Sequence, residues 1–310
     1  EQSGASVEGE PETWEVEQRG WYANGTALVL HKRQFVPGQT FLDVSMPPEE
    51  DPDGPVGLQR LRFTQRTIAR LQMEDVRWRF GSCAVVGNSG VVLGRGRGDE
   101  IDAHDAVIRL NCAPTRRFEP DVGSRTTFDF SNHHNLEKLM RAIERHPGVS
   151  GPRAAMGETN SSAASTLLLY ESTSHEMRYH FIDKVAHKVD REHWAVLSPD
   201  FVAYGRRLWT DLSLKAADAH GRHQRYAHTQ GSQRNSEVAK PLTGWFAVLY
   251  ASQICGSVNL YGFDAWTGGA ATPYHYFDAV RGQLKVHDFA VTMWVFGELA
   301  KVVGVPIQIV

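Results

Sequence analysis

Four adjacent residues, Gly87-Asn88-Ser89-Gly90, are of types that can hold a phosphate or a sugar. They follow an apolar run that predicts a buried strand, and the sequence after them predicts a helix. Glycine lets a ligand approach the backbone closely, and a helix N-terminus presents N–H groups that have no partner within the helix. The segment is therefore predicted to bind a nucleotide phosphate or a sugar, while a tight turn that binds nothing stays open as the alternative.

Three further glycines, Gly94, Gly96 and Gly98, come soon after this segment. Dinucleotide-binding proteins carry a G-x-G-x-x-G fingerprint at the turn between their first strand and helix. The spacing of the three glycines does not match it. A dinucleotide site is therefore not predicted.

The elements that must position these residues alternate between strands and helices. Short apolar runs predict strands at 83–86, 106–110, 126–130, 166–170, 195–197, 257–261 and 307–310. Apolar residues at helical spacing predict helices at 63–78, 135–145, 244–254 and 288–302. This alternation predicts an α/β fold with a mostly parallel central sheet flanked by helices. We expect a loop at 36–57 and variable loops over about 145–235.

Composition is typical of a globular protein. The chain has 310 residues, of which 41% are hydrophobic, and this is enough for a sizeable core. The formal net charge of −3 argues against a broad nucleic-acid surface. No run approaches the roughly 20 apolar residues of a membrane helix. Residues 1–20 contain little that could form a core, so we expect a flexible tail or stem remnant there and one folded domain over 21–310.

The cysteines and two sequons bear on the compartment. Cys83, Cys112 and Cys255 are the three cysteines, and counting alone favours three buried thiols. Sequons begin at Asn24 and Asn160, which makes both residues candidate glycosylation sites. Together the sequons favour a secretory context.

A long block between Cys83 and Thr127 carries a specific resemblance. It opens with CAVVGNSG, continues with the pattern G-x-x-I-D-x-H-D-x-V-x-R-x-N-x-A-P, and closes with D-V-G-x-x-T-T. It resembles the long motif of the eukaryotic sialyltransferase family, glycosyltransferase family 29. The matched positions are Gly98, Ile101, Asp102, Asp105, Arg109, Asn111, Ala113, Pro114, Asp121, Val122, Gly123, Thr126 and Thr127.

Three later segments resemble the remaining motifs of the same family, in the expected order. Pro241-Leu-Thr-Gly244, with Cys255 and the following VNLYGF, is similar to the short motif. The YHYFD segment at 274–278 is similar to the third motif, and His287-Asp288 is similar to the start of the very short motif, H-x4-E.

Two positions depart from the family pattern. Leu242 stands where the family usually has Ser or Thr, and Thr292 stands where the very short motif ends in Glu. Glu298 lies on the same predicted helix but is not three or four positions from Thr292, so we do not expect it to share that face.

The resemblance implies a Rossmann-like variant of the GT-A fold and an inverting transfer from CMP-sialic acid to a glycan hydroxyl, with no metal and no other cofactor. It implies that His287 is the catalytic base and that His275 meets the phosphate. The chemistry agrees, because His can accept a proton near neutral pH and can stabilise a departing phosphate. The donor-binding residues that the resemblance implies are Asn88, Ser89, Asn111, Asn132, Thr243, Gly244, Tyr274 and His275.

The resemblance also implies a disulfide between Cys83 and Cys255, with Cys112 remaining a thiol. We further expect the chain to belong to the Golgi lumen, as part of a type II membrane protein whose anchor is absent from this sequence. Its expected partners are the CMP-sugar donor and a glycan acceptor on a glycoprotein, glycolipid or polysaccharide.

Several alternatives stay open. The donor could be CMP-Kdn or CMP-Kdo, and the acceptor and linkage are not determined. A non-catalytic relative that binds glycans or nucleotides is favoured by the missing Glu of the very short motif. A metal-dependent glycosyltransferase is favoured by the D-x-D spacing of Asp51 and Asp53. These two residues lie in a Pro- and Gly-rich stretch, which we interpret as a solvated loop.

Overall fold

The computed structural model of the protein describes residues 26–46, 57–145, 152–155, 165–220, 226–227, 235–236, 241–265, 272–278, 280 and 288–310. Its strands, in chain order, are β1 (Phe41–Val44), β2 (Gln59–Arg62), β3 (Phe80–Val86), β4 (Ala106–Leu110), β5 (Phe128–Ser131), β6 (Thr166–Leu169), β7 (Trp194–Val196), β8 (Tyr226–Ala227), β9 (Asn235–Ser236), β10 (Cys255–Tyr261) and β11 (Ile307–Ile309). Its helices are α1 (Gln65–Arg70), α2 (Gly98–Asp102), α3 (Glu119–Val122), α4 (His133–Arg145), α5 (Pro152–Ala155), α6 (Ile182–Lys188), α7 (Pro199–His220), α8 (Thr243–Ile254) and α9 (Phe289–Val303). Short 3₁₀ turns lie at Lys32–Gln34, Gly90–Val92 and Arg191–His193, and a π-helical turn lies at Met177–Phe181.

Seven parallel strands form the central sheet, in the spatial order β11-β10-β3-β4-β5-β6-β7. The chain runs outward from β3 to β7 and then returns to the other side of β3 to add β10 and β11. The strand order therefore reverses between β3 and β10. Open α/β sheets bind ligands outside the carboxyl ends of their strands at such a switch point. The predicted α/β fold with a mostly parallel sheet is confirmed.

Helices cover both faces of the sheet. Cys83 and Val85 of β3 face the core that contains α7, α8 and α9, whereas Ala84 and Val86 face the cluster that contains α2 and α3. Nearly every residue of α8 is buried, as expected for a helix that is apolar all round. Trp245 of α8 packs against α7 and α9 and fixes the helix over the sheet. None of the helices in the described residues combines the length and the apolar character that a membrane crossing needs.

The predicted disulfide is present. Cys83 of β3 and Cys255 of β10 are bonded, with their Cα atoms 6.0 Å apart and a sequence separation of 172. The bond joins adjacent strands on the two sides of the switch point. Cys112 is buried and takes no part in a disulfide.

The helix predicted over 63–78 is wrong in its second half, because only α1 is helical there. The residues after α1 instead bind the segment that enters the core near residue 28. The Asp75 carboxylate accepts hydrogen bonds from the N–H groups of Leu28 and Val29 at 2.8 and 2.9 Å. The carbonyl of Gln72 accepts another from Lys32 at 2.9 Å. These tertiary bonds replace the helical ones.

Three other expectations need correction. The loop expected over 36–57 contains β1, which pairs with β2 in antiparallel fashion. The stretch expected to form variable loops contains the 22-residue helix α7. Charged and polar residues interrupt its pattern, yet its apolar stripe is buried; the stripe consists of Phe201, Val202, Trp209, Leu212 and Ala216. The helix expected after Gly90 is a single 3₁₀ turn.

Candidate functional site

A cavity of about 300 Å³ lies at the carboxyl ends of β3, β4, β5 and β10, at the switch point. All eight predicted donor-binding residues line it: Asn88, Ser89, Asn111, Asn132, Thr243, Gly244, Tyr274 and His275. The lining also includes residues that were not predicted to belong to the site, among them Asn135, Asp264, Phe289 and Met293. Asn135 is a local neighbour of Asn132, whereas tertiary packing brings the other three to the cavity.

Gly87 lets β3 and β10 approach at the floor of the cavity. Its N–H donates to the Tyr261 carbonyl at 2.7 Å. A side-chain carbon at Gly87 would lie 2.6 Å from the Gly262 carbonyl oxygen, which is closer than real structures allow. Only glycine therefore fits at this position.

Asn88 presents an unused hydrogen-bond acceptor. Its amide nitrogen donates to the Leu110 carbonyl at 3.3 Å. Its Oδ1 atom is buried and has no partner among the described residues. A buried unpaired acceptor costs about 1–3 kcal/mol, so a ligand N–H or O–H that reached Oδ1 would recover that energy. This feature favours the binding interpretation of the segment over a turn that binds nothing.

Asn111 follows β4 in a left-handed conformation, with φ of 57°, and Cys112 has φ of 53°. Asn is among the few residues that tolerate this region. The Asn111 N–H donates to the Phe130 carbonyl at 2.6 Å, and its Oδ1 accepts from the Asn132 N–H at 3.2 Å. Asn111 thus connects the ends of β4 and β5.

Asn132 caps α4. Its Oδ1 accepts from the N–H of Asn135 at 3.0 Å and from the side-chain amide of Asn135 at 2.9 Å. Such a contact three residues ahead is typical of an N-cap. The oxygen of Asn132 is therefore committed to the helix, and Asn135 joins it at the cavity wall.

The first turn of α8 presents backbone N–H groups at the cavity. Leu242 occupies the N-cap position and makes no side-chain capping bond. The first N–H groups of a helix carry partial positive charge and favour anions. The Thr243 hydroxyl lies 3.1 Å from that of Tyr170, whose pKa is raised by burial and then by Glu171, so Tyr170 stays protonated.

The segment 272–278 packs on two of these turns. The Tyr276 N–H donates to the Asn88 carbonyl at 2.8 Å, and the Tyr276 hydroxyl donates to the Pro114 carbonyl at 2.6 Å. The Gly90 N–H donates to the Pro273 carbonyl at 3.0 Å. One segment therefore holds the turn after β3, the turn after β4 and the side chain of His275 together.

His275 is held on two sides. Its Nδ1 lies 2.8 Å from Asp278 Oδ2, and its ring stacks on Phe277 with 4.9 Å between centroids and 6° between planes. With the carboxylate of Asp278 at Nδ1, Nε2 is the ring nitrogen that remains for another partner.

His287, the predicted base, lies outside the described residues, as do Asn24, Asn160, Asp51 and Asp53. No group of three or more potential metal ligands occurs among the described residues.

The helix that follows His287 in sequence, α9, is capped at its start. Asp288 caps α9 by accepting from the Val291 N–H at 3.0 Å. The hydroxyl of Thr292, which is only 1% exposed, donates to the Asp288 carbonyl at 2.7 Å. Glu298 pairs with Lys301 and does not line the cavity.

A parallel α/β sheet with a cavity at its switch point places the protein in the class of open α/β folds that bind ligands outside the carboxyl ends of their strands. Residues 56–302 match the model of glycosyltransferase family 29 (sialyltransferase), and the chain belongs to this family.

Curated relatives agree with this assignment. A CMP-N-acetylneuraminate-beta-galactosamide-alpha-2,3-sialyltransferase 2 from Mus musculus is 32% identical over 71% of this chain and 54% of its own length. A beta-1,6-galactosyltransferase from Arabidopsis thaliana is 30% identical over 68% of this chain and 48% of its own length. The chain thus spans about half the length of these two relatives. A mammalian sialyltransferase crystal structure is 25% identical, with a TM-score of 0.45 over 74% of this chain and 68% of that one.

Proposed function

We propose that residues 21–310 form an inverting sialyltransferase-type domain. It transfers a sialic acid, or a related nonulosonic acid, from CMP to a glycan hydroxyl without a bound metal ion. Membership in family 29 supports the proposal. The observation that carries it is the cavity that gathers all eight residues predicted to bind the donor.

The cavity offers complementary groups for a CMP donor. Asn88 Oδ1 is an unpaired acceptor that suits an amino or hydroxyl group of the nucleoside. As the sugar leaves, the CMP phosphate gains negative charge. The N–H groups at the start of α8 and the imidazole of His275 are positioned to stabilise that charge.

The proposed base is His287. It precedes Asp288, the cap of α9, and the first residue of that helix, Phe289, lines the cavity. This supports placing the acceptor hydroxyl and its base beside the donor. Deprotonation by a neutral imidazole accompanies attack of the hydroxyl on the anomeric carbon.

We further propose an oxidising lumenal compartment, the Golgi lumen, as the place of action. The support is the Cys83–Cys255 bond, since such bonds persist under oxidising conditions and are rare in the cytosol.

A donor screen against a glycan array tests the proposal. CMP-sialic acid, CMP-Kdn, CMP-Kdo and an activated galactose donor are compared, the last because one relative is a galactosyltransferase. We expect CMP release and sugar transfer from a CMP donor, unchanged by EDTA. Loss of transfer in EDTA would contradict metal independence, and transfer from the galactose donor alone would contradict the donor class. CMP binding without turnover would indicate a non-catalytic relative.

A further inference from the structure

A histidine and a glutamate lie beside the donor cavity and have no part in the donor site. His133 is the first residue of α4, directly after Asn132, and Glu171 follows β6 by two positions. β5 and β6 are neighbours in the sheet, and Ser131 pairs with Leu169 at their carboxyl ends. The pair therefore stands at the same sheet edge as the cavity.

Sequence neighbours connect the pair to the cavity on both sides. Asn132, next to His133, lines the cavity. Tyr170, next to Glu171, meets the hydroxyl of Thr243 at 3.1 Å. A molecule bound at the pair would thus lie within reach of a donor in the cavity.

The two side chains form a defined unit. One carboxylate oxygen of Glu171, Oε2, accepts from the His133 N–H at 2.7 Å and lies 2.8 Å from its Nδ1. The side chains of His133 and Glu171 are 26% and 12% exposed, so both are partly accessible. With Nδ1 engaged, Nε2 is the ring nitrogen that a ligand can use, and no described residue hydrogen-bonds to it.

Hydrogen bonds to backbone carbonyls fix the turn that contains Glu171. The buried guanidinium of Arg178 donates to the carbonyls of Ser172 and Thr173, and the Ser174 N–H donates to the Glu171 carbonyl at 2.9 Å. The carboxylate is therefore positioned before any ligand arrives, which reduces the entropic cost of binding.

Two flat rings lie near His133. The His134 ring lies 3.9 Å from that of His133, and Phe181 lies 6.2 Å from it. Small-molecule sites commonly combine aromatic walls with a few fixed polar groups. A carboxylate and an imidazole nitrogen accept hydrogen bonds from hydroxyls, and the negative charge of Glu171 disfavours an anionic ring.

We propose that His133 and Glu171 bind the acceptor, as a specificity-determining pair that selects a neutral, hydroxyl-rich sugar ring. The inference rests on the proposed function, since it assigns the acceptor side of that transfer. The competing interpretation is structural, because a carboxylate at the start of α4 also stabilises the helix. A cap of that kind would affect thermal stability and leave acceptor recognition unchanged.

Three variants separate the two interpretations. Glu171→Gln keeps the shape and removes the charge. In His133→Asn, the side-chain amide can replace Nδ1 as a hydrogen-bond donor to Glu171, but no atom replaces Nε2. In His133→Gln, the longer side chain places its amide nitrogen near the position of Nε2. The matched controls are Glu137→Gln, whose side chain is exposed on α4, and His187→Asn on α6, where the histidine ring contacts Arg66 and the Asp183 carbonyl.

Binding to a glycan array in the presence of CMP, and the KM for the acceptor, are measured with the full chain. We expect Glu171→Gln and His133→Asn to weaken binding of neutral glycans about 5- to 150-fold. His133→Gln should lose less, CMP affinity should stay within about twofold, and the controls should match wild type. Unchanged glycan binding in the first two variants, or no neutral glycan bound by wild type, would overturn the proposal. Glycan binding that depends on the pair, without any sugar transfer, would support the acceptor-binding role of His133 and Glu171 and would refute the proposed transferase function.

Discussion

At the scale of single residues, substitutions of the two histidines implied for catalysis should have different effects on turnover and on CMP affinity. His287→Ala should lower turnover about 10²–10⁴-fold with CMP affinity nearly intact, because it removes a proton acceptor. His275→Ala should lower turnover and also weaken CMP binding, because its imidazole stands at the cavity wall. Steady-state kinetics and calorimetry separate the two effects. Near-normal turnover in His287→Ala would contradict this assignment and would indicate that another histidine is the base.

The pH profile follows from the same assignment. A base must be neutral to accept a proton, so kcat should rise with pH through the pKa of the base in the bound state. A kcat that falls across that range would contradict a histidine base.

Thr292 offers a second residue-scale test. Its hydroxyl is buried in an intrahelical bond to the Asp288 carbonyl, so it has no role toward a ligand. Thr292→Ala should leave turnover within about twofold and cost about 0.5–1.5 kcal/mol of unfolding free energy. A large fall in turnover at unchanged stability would mean that Thr292 serves the chemistry after all.

Residue roles were only partly predictable from the sequence. The resemblance implies that the asparagines at 88, 111 and 132 all contact the donor. Asn132 caps a helix through its oxygen, whereas Asn88 retains an unpaired acceptor. Residue type does not separate these outcomes. Leu110, the partner of the Asn88 amide nitrogen, lies 22 positions away in sequence and is placed by tertiary packing, whereas the contact of Asn132 with Asn135 is local.

At the scale of elements, a buried ion pair holds the turn that carries Asn111. Arg153 of α5 binds Asp129 of β5 through two nitrogens at 2.5 and 2.8 Å and donates to the Ala113 carbonyl at 2.7 Å. The side chains of Arg153 and Asp129 are 1% and 0% exposed. Burial, and then the charge of Arg153, lower the pKa of neighbouring Arg109 to about 10, so Arg109 remains charged at pH 7.

Arg153→Met should therefore cost about 3–5 kcal/mol of unfolding free energy, because it leaves the Asp129 carboxylate buried without its cation. The control is Arg141→Met, which breaks an exposed pair with Glu137 on α4 and should cost less than about 1 kcal/mol. Urea unfolding measures both. Equal losses of unfolding free energy in the two variants would show that the buried pair contributes no more to stability than the surface pair.

The strands of the core were predictable because each contains closely spaced apolar residues, and β4 begins and ends where expected. The packing of segment 272–278 on the turn after β3 was not predictable. It depends on contacts such as Tyr276 to Asn88 between residues that are far apart in sequence. No local periodicity reports such contacts.

At the scale of the whole molecule, the Cys83–Cys255 bond closes a very long loop between adjacent strands. Reduction, or a Cys83→Ala and Cys255→Ala double variant, should lower the unfolding free energy by about 2–5 kcal/mol. Non-reducing peptide mapping should recover the two cysteines joined and Cys112 alkylatable after unfolding. Recovery of Cys83 as a thiol from native, non-reduced protein would contradict the bond.

The central claim is that the cavity between β3 and β10 holds the CMP part of the donor. Calorimetric titration of CMP into wild type and Asn88→Ala tests it most directly. Asn88 Oδ1 has no partner among the described residues, whereas its amide nitrogen donates to the Leu110 carbonyl at 3.3 Å. The substitution should therefore cost about 0.5–1.5 kcal/mol of unfolding free energy and weaken CMP binding about 5- to 150-fold. Equal CMP affinity in the two proteins, or no CMP binding by wild type, would contradict the claim.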